Sequence, residues 1–176
     1  PFFTGLSYVS LVVVFIAAMV ASGLLAMFVE QVAYKPLRHA PRLAPLISAI
    51  GVSIFLQNIV MLAVSAQSVP CPAKFNVTQL TFPGFVVDSL QILIFCLSII
   101  LMVLLHLFIK KTKLGKAMQA ISQNHAVSQL MGINVNRIIL LTFFIGGGLA
   151  GIAGVLNGMY YGSIKYNMGF LPGIKA

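Results

Sequence analysis

The sequence predicts an all-α fold: a polytopic transmembrane helical bundle with about four spans and one short helix in the connection between the last two. Three observations carry this. Only 7% of the 176 residues are charged while 60% are hydrophobic, and the mean hydropathy is +1.04. A water-soluble domain has roughly 25% charged residues, so this chain cannot cover a water-facing surface. The charge-free runs come in four blocks, each with a centre of about 20 residues, enough to span roughly 30 Å of hydrocarbon as a helix. Finally, eight of the 11 basic residues fall in the first and third connections.

The spans are expected at about residues 6–29, 46–66, 89–109 and 138–160, all within one transmembrane domain covering 1–176. The connection 30–45 carries Glu30, Lys35, Arg38 and Arg42, and 110–137 carries Lys110, Lys111, Lys113, Lys116 and Arg137. The outer loop 67–88 has only Lys74 and Asp88, and the tail only Lys165 and Lys175. Basic residues are retained on the cytoplasmic side, so 30–45 and 110–137 are expected inside, with Pro1, the 67–88 loop and the tail outside. Short alternating segments of a β-barrel are missing from the pattern. The chain starts at Pro1 and stops at Ala176 without a signal-peptide pattern over 1–29, and reads as a piece lacking both ends.

Span ends have their own chemistry. Pro45 suits a first helical turn, where its absent N–H costs nothing. Asp88 and Gln91 have capping-box spacing for the third helix. Lys110, Lys111 and Lys113 follow its C-terminus, where cations are favoured. Polarity at the membrane edge would explain the same residues.

The fourth span presents small residues at Gly146, Ala150, Gly154 and Gly158, with Gly147 and Gly151 beside them; the first has Ala18, Ser22 and Ala26. Such spacing lets helix backbones approach, and Gly154→Leu is expected to obstruct that approach. Dense glycine also exposes backbone carbonyls, and with Asn157 nearby the region serves either packing or a solute path. In the second span the adjacent amides Gln57 and Asn58 point about 100° apart. One of them is expected to bond to a neighbouring helix; the alternative is lining a polar path. His106 reads as an interfacial anchor rather than a proton relay. The spans hold no acid, which weakens a proton-coupled mechanism.

Lys113 to Met131 reads as one short helix with Leu114, Ala117, Met118, Ile121, Ala126 and Leu130 on a rough apolar face. Gly132 would stop it in a left-handed cap, and Asn134 would cap the next helix. The helix either lies on the membrane or docks on a soluble partner. No phosphate-binding glycine loop, metal-spaced histidine cluster or catalytic constellation is present in the sequence. An enzyme and a cofactor are therefore not expected, and energy for transport would come from a partner or a gradient. Cys71 and Cys96 suggest neither zinc nor a disulfide framework. The basic residues form no nucleic-acid stripe.

Glu30 to Arg38 (EQVAYKPLR), Leu46 to Asn58 (LISAIGVSIFLQN), Thr112 to Arg137, Gly147 to Leu156 (GGLAGIAGVL) and Gly169 to Ala176 follow one another in a specific order. That order resembles permease subunits of bacterial branched-chain amino-acid ABC transporters, particularly the LivH-type, high-affinity leucine/isoleucine/valine branch. The resemblance implies a multi-pass subunit of the bacterial inner membrane. Its implied partners are a second permease subunit, cytoplasmic ATPase subunits and a periplasmic amino-acid-binding protein. It also implies that Gly115, Ala117, Ala120, Asn124, Ala126 and Gly132 belong to a coupling helix that docks on an ATPase. Gln119 stands where the family usually has a basic residue. Relatives that carry urea or short amides, and a passive channel or scaffold, are the alternative functions.

Overall fold

The computed structural model describes residues 8–39, 44–64, 67–70, 79–82, 85–170 and 173. Several sequence expectations fall outside them: the start of the first span at residue 6, the positions of Pro1, Arg42, Cys71, Lys74 and Lys175, and most of the Gly169–Ala176 motif.

Six α-helices account for most of the described chain: α1 Tyr8–Val29, α2 Ala44–Ala63, α3 Ser89–Lys111, α4 Lys113–Gln123, α5 His125–Leu130 and α6 Val135–Tyr161. Four helical segments are long and apolar enough to cross a membrane, so the fold is all-α and polytopic. The chain divides into two compact units, residues 1–74 with 144–176, and residues 75–143.

In the first unit, the helix begun by α1 does not stop at Val29. It widens into a π-helical turn over Glu30–Tyr34, closed by Lys35 N–H donating to the Glu30 carbonyl at 2.9 Å. Pro36, which has no N–H to continue that ladder, opens a 3₁₀ turn over Pro36–His39. Glu30 is almost fully buried. Pro45 occupies the first turn of α2. Past the far ends of α2 and α6, strand β1 (Val69–Pro70) pairs antiparallel with β4 (Ser163–Ile164). Gly162, at φ +64°, makes the left-handed turn that leads out of α6 into β4.

The second unit opens with an antiparallel ribbon of β2 (Gln79–Phe82) and β3 (Phe85–Asp88), in register Gln79↔Asp88 to Phe82↔Phe85. Neither ribbon is anticipated by the all-α pattern. The β-branched and aromatic residues on either side of Pro83-Gly84 are the sequence signal for the second. Asp88 takes the extended N-cap conformation before α3, but its side chain makes no cap bond.

The connection expected as a single helix over 113–131 is two helices. Asn124 is extended (φ −155°, ψ 114°), and its Oδ1 accepts from the amides of Ala126 at 3.0 Å and Val127 at 3.2 Å. A side chain that satisfies two orphan amides makes a new helix start cheaper than continuing the old one. Asn124→Ala is expected to cost about 1 kcal/mol locally and to speed hydrogen exchange at Ala126 and Val127, while α4 exchange is unchanged.

Candidate functional site

The candidate coupling residues lie on α4 and α5, and Thr112 sets where they begin. Its N–H and its Oγ1 both donate to the Phe108 carbonyl, at 3.1 and 2.7 Å, which closes α3. The same Oγ1 accepts from Gly115 N–H at 3.0 Å, which opens α4. One hydroxyl thus ends one helix and starts the next, with a change of direction between them.

Gly115 sits inside that corner. A Cβ there would overlap the Ile109 carbonyl oxygen and come within 2.5 Å of Ile109 Cα. Gly115 is not among the glycines with positive φ. The position therefore demands space rather than an unusual backbone. Beyond it, Ile121 is buried with Val135 and Ile138, and Ala117, Met118, Ile133 and Ile139 pack around them. This small core clamps α4 onto the start of α6. Gly132, at φ +78°, provides the expected left-handed turn, and Asn134 Oδ1 accepts from Arg137 N–H at 3.3 Å to cap α6.

The apolar face differs from the one expected. Ala117, Met118 and Ile121 turn inward, but Leu114, Val127, Leu130 and Met131 are exposed, Leu130 at 88%. The break at Asn124 resets the helical phase, so Ala126 and Leu130 on α5 no longer share a side with the inward residues of α4. Ala120 is half-buried, while Asn124, Ala126 and Gly132 are exposed.

The candidate path and packing residues lie in the other unit. The close approach there is between α6 and α1. A Cβ at Gly147 would overlap Ala26 Cβ and stand 2.9 Å from the Ser22 carbonyl oxygen. One at Gly151 would stand 2.6 Å from the Ala18 carbonyl oxygen and 2.8 Å from Ser22 Cβ. Gly148 faces Met19, and Gly23 lies under the Phe144 ring. The counter-row is the Ala18, Ser22, Ala26 stripe. By contrast, a Cβ added at Gly146 or Gly154 would meet nothing within 4 Å. Gly146 and Gly154 are thus not on the row that meets α1, and the geometry reverses the expectation for Gly154→Leu, which should leave the α1–α6 contact intact. Thermal melts of the purified protein should match those of the unmutated chain within a few degrees.

Among the described residues, Gln57 and Asn58 bond within α2 rather than to another helix. Gln57 Nε2 donates to Ser53 Oγ at 3.1 Å, and Asn58 Nδ2 to the Ile54 carbonyl at 2.8 Å. Each amide finds its acceptor one turn back on α2, so it needs no neighbour. Gln57 and Asn157 are half-buried and Asn58 is exposed. Sequence reasoning does not find Thr112, Gly148 or the Gly23–Phe144 contact. The Thr112–Gly115 spacing is a readable N-cap signal; the other two have no mark beyond composition.

Residues 2–176 match a family described as branched-chain amino acid transport system / permease component. The chain belongs to this family. It is 45% identical over 166 residues to the high-affinity branched-chain amino acid transport system permease protein BraD of Pseudomonas aeruginosa, covering 92% of this chain and 54% of that protein. It is 39% identical over 166 residues to the corresponding permease protein LivH of Escherichia coli K12, with the same coverage. A probable LivH permease protein of Methanocaldococcus jannaschii is 30% identical over 154 residues, covering 85% of this chain and 47% of that protein. The chain spans about half the length of the curated relatives it matches. No solved structure matches. The family is a transport component rather than a catalyst, and membership together with four apolar helices makes this a multi-pass protein of the inner membrane.

Proposed function

We propose that the chain is the membrane-spanning part of a permease subunit in an ATP-driven importer of the branched-chain amino acids leucine, isoleucine and valine. The single observation that carries this reading is the family match along residues 2–176. The partners are a second permease subunit, cytoplasmic ATPases and a periplasmic amino-acid-binding protein. The α4–α5 corner is the part that docks on the ATPase, through Ala120 on α4 and Asn124, Ala126 and Gly132 around α5, while Gly115 and Ala117 hold α4 in place from within. Closure of the ATPases on ATP would move a corner that is clamped to α6 through Ile121, Val135 and Ile138, and so bias the spans between two access states.

The threading has support within one unit. Along α1 from Ala18 to Ala26 the partners on α6 run backwards from Gly151 to Gly147, so the two helices are antiparallel. Spans one and four of an alternating series must be. The β1–β4 pairing also brings the far ends of α2 and α6 to one side, as the second and fourth of four alternating spans require.

The test is uptake of labelled leucine by cells that lack their own branched-chain permeases and are given the intact protein with its ATPases and binding protein. Saturable uptake is expected, competed by isoleucine and valine and abolished when the ATPase phosphate-binding lysine is replaced. Competition by urea or short amides alone would assign the other substrate class, and uptake indifferent to the ATPase would mean a passive channel. Ala120→Glu is expected to cut coupled uptake by about tenfold by placing a charge at the docking surface. Unchanged ATPase association and uptake would remove Ala120 from that surface.

A further inference from the structure

Lys110, Lys111, Lys113 and Lys116 fall within seven residues at the α3–α4 corner, and all four are exposed. The sequence offers two acids in all. Glu30 is almost fully buried, and Asp88 precedes the opposite end of α3, a helix of 23 residues or roughly 34 Å. Neither acid is a sequence neighbour of the cluster, so no local carboxylate neutralises it. The lysines are also held together. Gly115 lies against the Ile109 backbone and Thr112 Oγ1 bridges both helices, so the first turn of α4 stays beside the last turn of α3.

We propose that this corner binds the headgroup of an anionic phospholipid. Lys110 and Lys111 end a helix long and apolar enough to cross the membrane, which puts their ammonium groups at headgroup depth. Val103, Leu104 and Leu107, on the preceding turns, are exposed and suit acyl chains. Leu114 is exposed between Lys113 and Lys116 and can enter the interface beside the same lipid. Clusters of four or more basic residues directly after a span attract anionic lipid through the summed Coulomb term, which salt screens. An acidic protein surface has the same charge chemistry, but it would have to reach into the headgroup layer to meet Lys110 and Lys111. The proposal rests on α3 crossing the membrane and is independent of what is transported.

The experiment is native mass spectrometry of the intact protein purified from bacterial membranes in mild detergent, counting retained phosphatidylglycerol and cardiolipin against phosphatidylethanolamine. Anionic lipid should be retained above its share of the membrane and released as salt rises. The Lys113→Gln/Lys116→Gln variant leaves Lys110 and Lys111 to maintain orientation; it should lower anionic-lipid affinity about thirtyfold, and arginine at both positions should restore it. Retention that ignores salt in the unmutated protein overturns the proposal even if the glutamine variant does not fold. So does a folded glutamine variant with unchanged retention. Loss of ATPase association with lipid retention unchanged would assign the corner to an acidic protein surface instead.

Discussion

Gly115→Ala is expected to unseat α4 from the end of α3. The added methyl has nowhere to go, because it meets the carbonyl and Cα of Ile109, which are backbone atoms and cannot rotate aside. Overpacking against a yielding side chain costs about 1–3 kcal/mol; here relief requires α4 to move as a body. Such a movement breaks the Gly115 N–H to Thr112 bond and draws Ile121 away from Val135 and Ile138, adding about 1.5–3 kcal/mol of lost burial. Amide exchange across Lys113–Gln123 should accelerate about a hundredfold or more, with exchange in α3 unchanged up to Phe108. Under the proposed function, coupled uptake should fall by at least tenfold while the protein still inserts. Because Gly115 has no positive φ, the prediction is specific: any side chain fails there. At Gly132, φ +78° penalises alanine by about 1–2 kcal/mol through backbone conformation alone. Slow exchange in α4 of Gly115→Ala would mean that the corner tolerates a side chain that its geometry excludes.

What can be read from the residues follows from which forces are local. The four spans are legible because lipid excludes charge along the whole length of each run, and that signal needs no knowledge of neighbours. Gly132 and Asn134 are legible for a similar reason, since left-handed turns and N-caps are decided within a few residues. Asn124 is open to the same reading, but it sits inside an apparently continuous helical pattern that hides the cap. The apolar face carried on to Ala126 and Leu130 fails with it. The glycine row is a different kind of failure. Gly147 and Gly151 repeat every four residues, as do Gly146, Ala150, Gly154 and Gly158, and the two rows stand about 100° apart on one helix. Periodicity cannot choose between them; the choice is made by where α1 lies. Gln57 and Asn58 show the reverse error. Hydropathy suggests a cross-helix bond, yet Ser53 and Ile54 one turn back offer acceptors at no cost in tertiary structure.

That choice of row gives the second large effect. Gly151→Leu is expected to separate α6 from α1, whereas the same change at Gly154 is not. At Gly151 even a Cβ would stand 2.6 Å from the Ala18 carbonyl oxygen, so leucine forces the helix axes apart. In a bilayer no hydrophobic penalty opposes that separation, because lipid tails refill the gap. The pair is instead held by close van der Waals contact between the two backbones. That attraction falls off steeply with distance, so a displacement that aqueous packing would partly absorb is enough here to dissolve the contact. Spin labels on exposed Leu24 of α1 and exposed Ala150 of α6 should show one narrow distance in the unmutated background and a longer, broader one with Gly151→Leu, yet keep the narrow distance with Gly154→Leu. Equal distances in all three would show that α1 and α6 meet on a face other than the Gly147–Gly151 row.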